Sequence, residues 1–78
     1  MNDDSWKENL YNEIFDSRLD YLEKRRRLDS TFTREDMKKI LFAEYRKQDL
    51  AWAGKSPVQE ITDSATIAAY EHFLAQWN

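Results

Sequence analysis

Gly54-Lys55-Ser56-Pro57-Val58-Gln59 holds the only glycine and the only proline among the 78 residues, and its reading decides the fold. Glycine takes the left-handed backbone that closes a helix at no steric penalty, so Gly54 marks a helix end. Ser56 then offers its hydroxyl to the amide three residues on, and Pro57 stands at the first helical position, where its missing N–H costs nothing. One helix stops and another starts within three residues. A joint that short favours antiparallel neighbours.

Two further helix starts appear on moving toward the N-terminus. Thr33-Arg34-Glu35-Asp36 is a capping box with Asp in place of the longer Glu, and Phe32 before it can staple onto Met37 one turn in. Ser5-Trp6-Lys7-Glu8 repeats the box and predicts a helix beginning at Trp6. Lys24-Arg25-Arg26-Arg27 fills the last turns of that helix, where cations meet the negative end of the macrodipole. The helices are expected at about 6–28, 34–53 and 57–77, each about 30 Å long. The chain reads as one all-α domain over residues 1–78, a three-helix bundle with antiparallel neighbours.

The faces of these helices differ in width, and width reports how many partners a helix has. Helix two carries one stripe of Met37, Ile40, Leu41, Tyr45, Ala51 and Trp52, with Phe42 and Leu50 projecting away from it. Helix one has Trp6, Leu10, Ile14, Tyr21 and Leu28 on one side and Tyr11, Phe15, Leu19 and Leu22 on an adjoining side. Asn9, Asp16, Asp20, Glu23 and Arg27 fill its narrow solvent arc. Helix three divides by size, with Ile61, Ala65, Ala68 and Ala75 on one flank and Ile67, Tyr70, Phe73, Leu74 and Trp77 on another. The aromatic flank is expected to fill the core and the alanine flank to pack on a second helix, of this chain or of another subunit. These placements predict a homodimer with Phe42, Leu50, Ala65, Ala68 and His72 at the contact.

Chemistry is sparse in the side-chain inventory. His72 is the only histidine and there is no cysteine, so neither an HExxH pair nor a thiolate site can be assembled. Glu13, Asp16, Asp20 and Glu23 recur at helical spacing, but mostly on the solvent arc and among cations, as a solvated face does. Aligning Asp36 with the last position of a calcium loop puts arginines at its first two ligand positions and Ser30 where glycine is required, which rules that loop out. No catalytic, cofactor or metal residues are assigned.

Twelve basic and fifteen acidic residues leave a net charge of -3, too balanced for a strongly basic nucleic-acid binder. All twelve Lys and Arg precede residue 56, and the last helix carries only Glu60, Asp63 and Glu71. The run Lys24–Arg27 has two readings. Arg25, Arg26 and Arg27 could contact phosphates, or the run could satisfy the helix end and pair with Asp20, Glu23, Glu71 and the terminal carboxylate of Asn78. The acids interleaved with the cations favour the second. The acidic start Met1-Asn2-Asp3-Asp4 is unlike a signal peptide, and no apolar run approaches the roughly 20 residues of a membrane span, so a cytoplasmic setting without a membrane partner is expected. The functional expectation is a non-catalytic helical module for protein–protein interaction, docking onto itself or another protein through helices two and three. A small nucleic-acid-associated regulator using the basic run is the alternative.

Overall fold

Each helix start is written in residues no more than four apart, and the computed structural model, which describes residues 4–50 and 54–77, shows what those signals build. Helix α1 spans Ser5–Leu28, α2 Arg34–Leu50 and α3 Pro57–Ala75. Every regular element among the described residues is a helix. The expected continuation of the second helix to residue 53, with Ala51 and Trp52 on its stripe, and the carboxylate of Asn78 lie outside the described residues.

The capping boxes differ in how fully they form. At α2 the exchange is complete: Thr33 N–H donates to Asp36 Oδ2 at 3.0 Å, and Asp36 N–H donates to Thr33 Oγ1 at 3.1 Å. Thr33→Ala is expected to lower stability by about 1 kcal/mol, which a urea titration would detect as an earlier midpoint at unchanged slope. At α3, Gln59 N–H donates to Ser56 Oγ at 3.1 Å, but the Gln59 amide group turns away to Asp63 instead of returning to Ser56. At α1 the expectation fails by one residue. Ser5 is itself helical, and Asp4 stands at the cap without a side-chain cap bond.

The connections are also local constructions. Asp29 Oδ1 accepts both the Thr31 N–H at 2.9 Å and the Thr31 hydroxyl at 2.6 Å, a side-chain turn that ends α1 and re-aims the chain. These bonds hold the Asp29 carboxyl below its ordinary value, as the Thr33 bonds hold that of Asp36. Both groups therefore contribute stability above the usual carboxylate range, and lose it as pH falls through their lowered folded values. Gly54 has a φ of +78°, the left-handed conformation expected there. A Cβ on it would meet nothing within 4 Å, so glycine is required by backbone conformation and not by crowding.

The three helices pack together around α3. Pairings such as Arg18 with Thr66 and Arg26 with Trp77 run in the same sense along both chains, so α1 and α3 are parallel. Tyr45 with Glu71 and Gln48 with Asp63 run in opposite senses, so α2 is antiparallel to α3. No Cα of α1 comes within 8 Å of one in α2. The bundle is thus open along one side, measuring 48 × 26 × 17 Å with a radius of gyration of 14.0 Å, against about 11.5 Å for a compact chain of this length.

Leu22, Phe32, Met37 and Phe73 form the buried core, with Leu19, Ile40, Tyr70, Leu74 and Trp77 packed against it. The aromatic flank of α3 enters this core, and the staple of Phe32 and Met37 belongs to it. The alanine flank is covered in part: Ala65 is buried, Ala68 half-buried and Ala75 exposed. Ala65 and Ala69 are fully buried within the chain, on a face whose neighbours Thr66 and His72 touch Arg18 and Phe15 of α1. Small side chains do admit a second helix there, but it is this chain's own α1.

Candidate functional site

The basic run is consumed largely by the fold. The Arg25 guanidinium lies 4.3 Å from the Phe32 ring centre and that of Arg26 lies 3.9 Å from the Trp77 ring centre, while Lys24 Nζ pairs with Asp20 at 3.0 Å. Phe32 and Trp77 meet edge to face at 5.6 Å, and Trp77 meets Phe73 likewise at 5.5 Å. Two arginines therefore close the aromatic end of the core by stacking on it. Lys24 with Asp20 follows the expected pairing with acids, while Glu71 accepts a hydrogen bond from the Tyr45 hydroxyl. Arg26→Gln is expected to lower stability by about 0.5–1 kcal/mol and to shift Trp77 fluorescence, read with Trp6 and Trp52 replaced by Phe. Arg27→Gln, on the exposed arc, is expected to change neither at low protein concentration.

A polar recess of about 560 Å³ lies where α2, the Gly54 turn and α3 converge. Lys55 Nζ meets Asp63 Oδ2 at 2.7 Å, and Gln59 Nε2 donates to Asp63 Oδ1 at 2.8 Å. Gln48 Nε2 donates to the Asp63 carbonyl at 3.0 Å. Burial raises the Asp63 carboxyl, but the Lys55 ammonium and the Gln59 amide outweigh it, and the group sits below its ordinary value. Lys55, Gln48 and Gln59 of this recess all bind Asp63. Among the described residues, no three His, Asp or Glu side chains gather as a metal site requires.

The remaining feature is apolar surface. Phe42 and Leu50 are 60% and 83% exposed, but eight residues apart on a helix they diverge by about 80°, and Phe42 rests on Tyr45 of its own helix. Of the other expected contact residues, Ala65 is wholly buried, Ala68 is half-buried, and His72 is exposed with its ring centre 5.7 Å from that of Phe15. These five do not form one patch, because α1 lies over the face that carries the alanines. A further set of exposed apolar residues shares one face of α1. Trp6, Tyr21 and Leu28 are 45%, 58% and 80% exposed, and Leu10 and Ile14 between them are half-buried.

That stripe was visible in the sequence as one of two adjoining apolar sides of the first helix. What sequence reasoning missed was which side would be left uncovered. Tyr11, Phe15, Leu19 and Leu22 turn toward α3, with Leu22 buried and Leu19 packed on the core. On the other side Trp6, Tyr21 and Leu28 stay exposed, and Tyr21 lies near Tyr70, whose hydroxyl is pushed up by burial and by Glu44. Among the described residues no helix is long and apolar enough to cross a membrane, so the stripe is not a spanning segment. Comparison with protein-family models, curated proteins and solved structures finds no match to this chain, and its function is argued from this surface alone.

Proposed function

We propose that this chain is a non-catalytic helical interaction module of the cytoplasm, which associates with a copy of itself or another protein through apolar side chains that its own helices leave uncovered. The observation that supports it is the outer stripe of α1, where Trp6, Tyr21 and Leu28 stand exposed on one face. Single exposed apolar residues are ordinary on any surface. Several on one helix face are the usual mark of a contact. The runner-up, a nucleic-acid contact through Arg25, Arg26 and Arg27, has less support, because Arg25 and Arg26 lie on Phe32 and Trp77.

Affinity purification of the intact chain, cross-linked in its source cells, tests the proposal. It predicts a bound protein, either a copy of this chain or another, that is retained by the native sequence and lost with Tyr21→Glu. Tyr21 is exposed, so the substitution is expected to leave helicity intact. A pattern of bound proteins identical in the native and Tyr21→Glu forms would sink the proposal.

A further inference from the structure

The outer stripe of α1 is periodic as well as exposed. Ile14, Tyr21 and Leu28 are seven residues apart, with Leu10, Ser17 and Lys24 at the second seam position between them. This is the spacing by which one helix lies along another. The charge of α1 is also divided end to end. Glu8, Glu13 and Asp16 against Lys7 leave residues 5–16 at a net -2, whereas Arg18 and Lys24–Arg27 against Asp20 and Glu23 leave residues 17–28 at a net +3. A parallel copy would set like halves together, and an antiparallel copy sets each half against its opposite. A two-fold contact demands a surface of that self-complementary kind.

We infer that the occupant of this stripe is α1 of a second copy, laid antiparallel across a two-fold axis near residue 19. The inference rests on the proposed interaction role and names its partner. In this register Leu28 of each copy meets Leu10 of the other, Tyr21 meets Ser17, Ile14 meets the alkyl stem of Lys24, and Glu13 faces Arg27. Sliding by seven residues one way sets Glu13 against Asp20 and Lys7 against Lys24, and sliding the other way removes Leu10 and Ile14 from the seam. Charge and apolar length select the same alignment. Two like-charge meetings remain, of Asp20 and of Arg18 with their own copies. The Lys24 ammonium at 3.0 Å offsets Asp20 within its chain, and the Arg18 guanidinium is turned toward the Thr66 hydroxyl of α3 at 3.4 Å.

Sedimentation equilibrium of the full chain tests the inference. A dimer is expected at concentrations on the order of 10–100 µM, and Tyr21→Glu or Leu28→Glu is expected to weaken it roughly tenfold or more with unchanged circular dichroism. Glu13→Arg and Arg27→Glu should each weaken the dimer, and the two together in one chain should restore it, because each copy then presents the reversed pair. A wild-type monomer throughout that range overturns the inference. So does a dimer insensitive to Tyr21→Glu, a dimer dissociated only by Phe42→Glu, or failure of the double reversal to restore association. A monomer in solution whose Tyr21-dependent partner persists in cell purification would remove the second copy while leaving the interaction role standing.

Discussion

Leu22→Ala is expected to lower the unfolding free energy by about 2–5 kcal/mol, the range for truncating a buried leucine. Leu22 is the one fully buried side chain that α1 contributes among its described residues, and it joins Phe32, Met37 and Phe73 in a core of few members. A domain this small has a stability near the lower end of the usual range of about 5–15 kcal/mol. The variant is therefore expected to be substantially unfolded near room temperature, with α1 released from α3. A thermal melt followed by circular dichroism checks it, with Leu28→Ala as the comparison, both read at low protein concentration. Leu28 lies at 80% exposure in the same helix, and its truncation is expected to stay within about 0.5 kcal/mol. A drop of only a few degrees for Leu22→Ala would show that α1 is held by its partly buried residues instead.

Asp63→Ala is expected to be the most damaging polar substitution, costing about 2–3 kcal/mol. Asp63 and Lys55 have little exposed side chain and lie 2.7 Å apart, so removing the carboxylate strands an ammonium with little water to solvate it. The figure is set below that of a deeply buried pair because solvent at the rim of so small a protein screens the charges. Replacing both partners, as Lys55→Met with Asp63→Leu, is expected to cost less than Asp63→Ala alone, which a double-mutant cycle in urea would measure. The pH dependence follows from the lowered Asp63 carboxyl. Its stabilising contribution is complete above the ordinary carboxylate value of about 4 and is lost as pH falls through the lower folded value. Asp63→Asn should remove that part of the acid sensitivity, leaving the share that Asp29 and Asp36 carry.

The helix starts at Thr33 and Ser56 were legible because every atom that makes them lies within four residues. The Ser5 start was misplaced by one residue for a related reason: Asp4 and Ser5 are both good caps, and sequence ranks them almost equally. The two roles of the arginines were not legible. Arg25 and Arg26 meet Phe32 and Trp77, which lie 7 and 51 positions farther along the chain, and the aromatic partner exists only once α3 has packed beside α1. Asp63 likewise reads in the sequence as a charge on a weakly charged helix, since its partner Lys55 lies beyond the helix start and its ties to Gln48 depend on the docking of α2.

Three helices, the starts of the second and third, and the presence of more apolar surface than one small bundle hides were determined by the sequence itself, because capping chemistry and helical periodicity act within a few turns; α3 ends at Ala75, two residues before the expected 77. Tertiary structure decided which apolar faces are hidden. α1 carries two adjoining stripes, and the alanine flank of α3 offers room for one of them; the stripe bearing Leu22 takes it, and the stripe bearing Trp6, Tyr21 and Leu28 is left outside. Periodicity assigns both stripes to the apolar class but does not rank them, since the choice depends on how side chains from helices about fifty residues apart fill one another's volume.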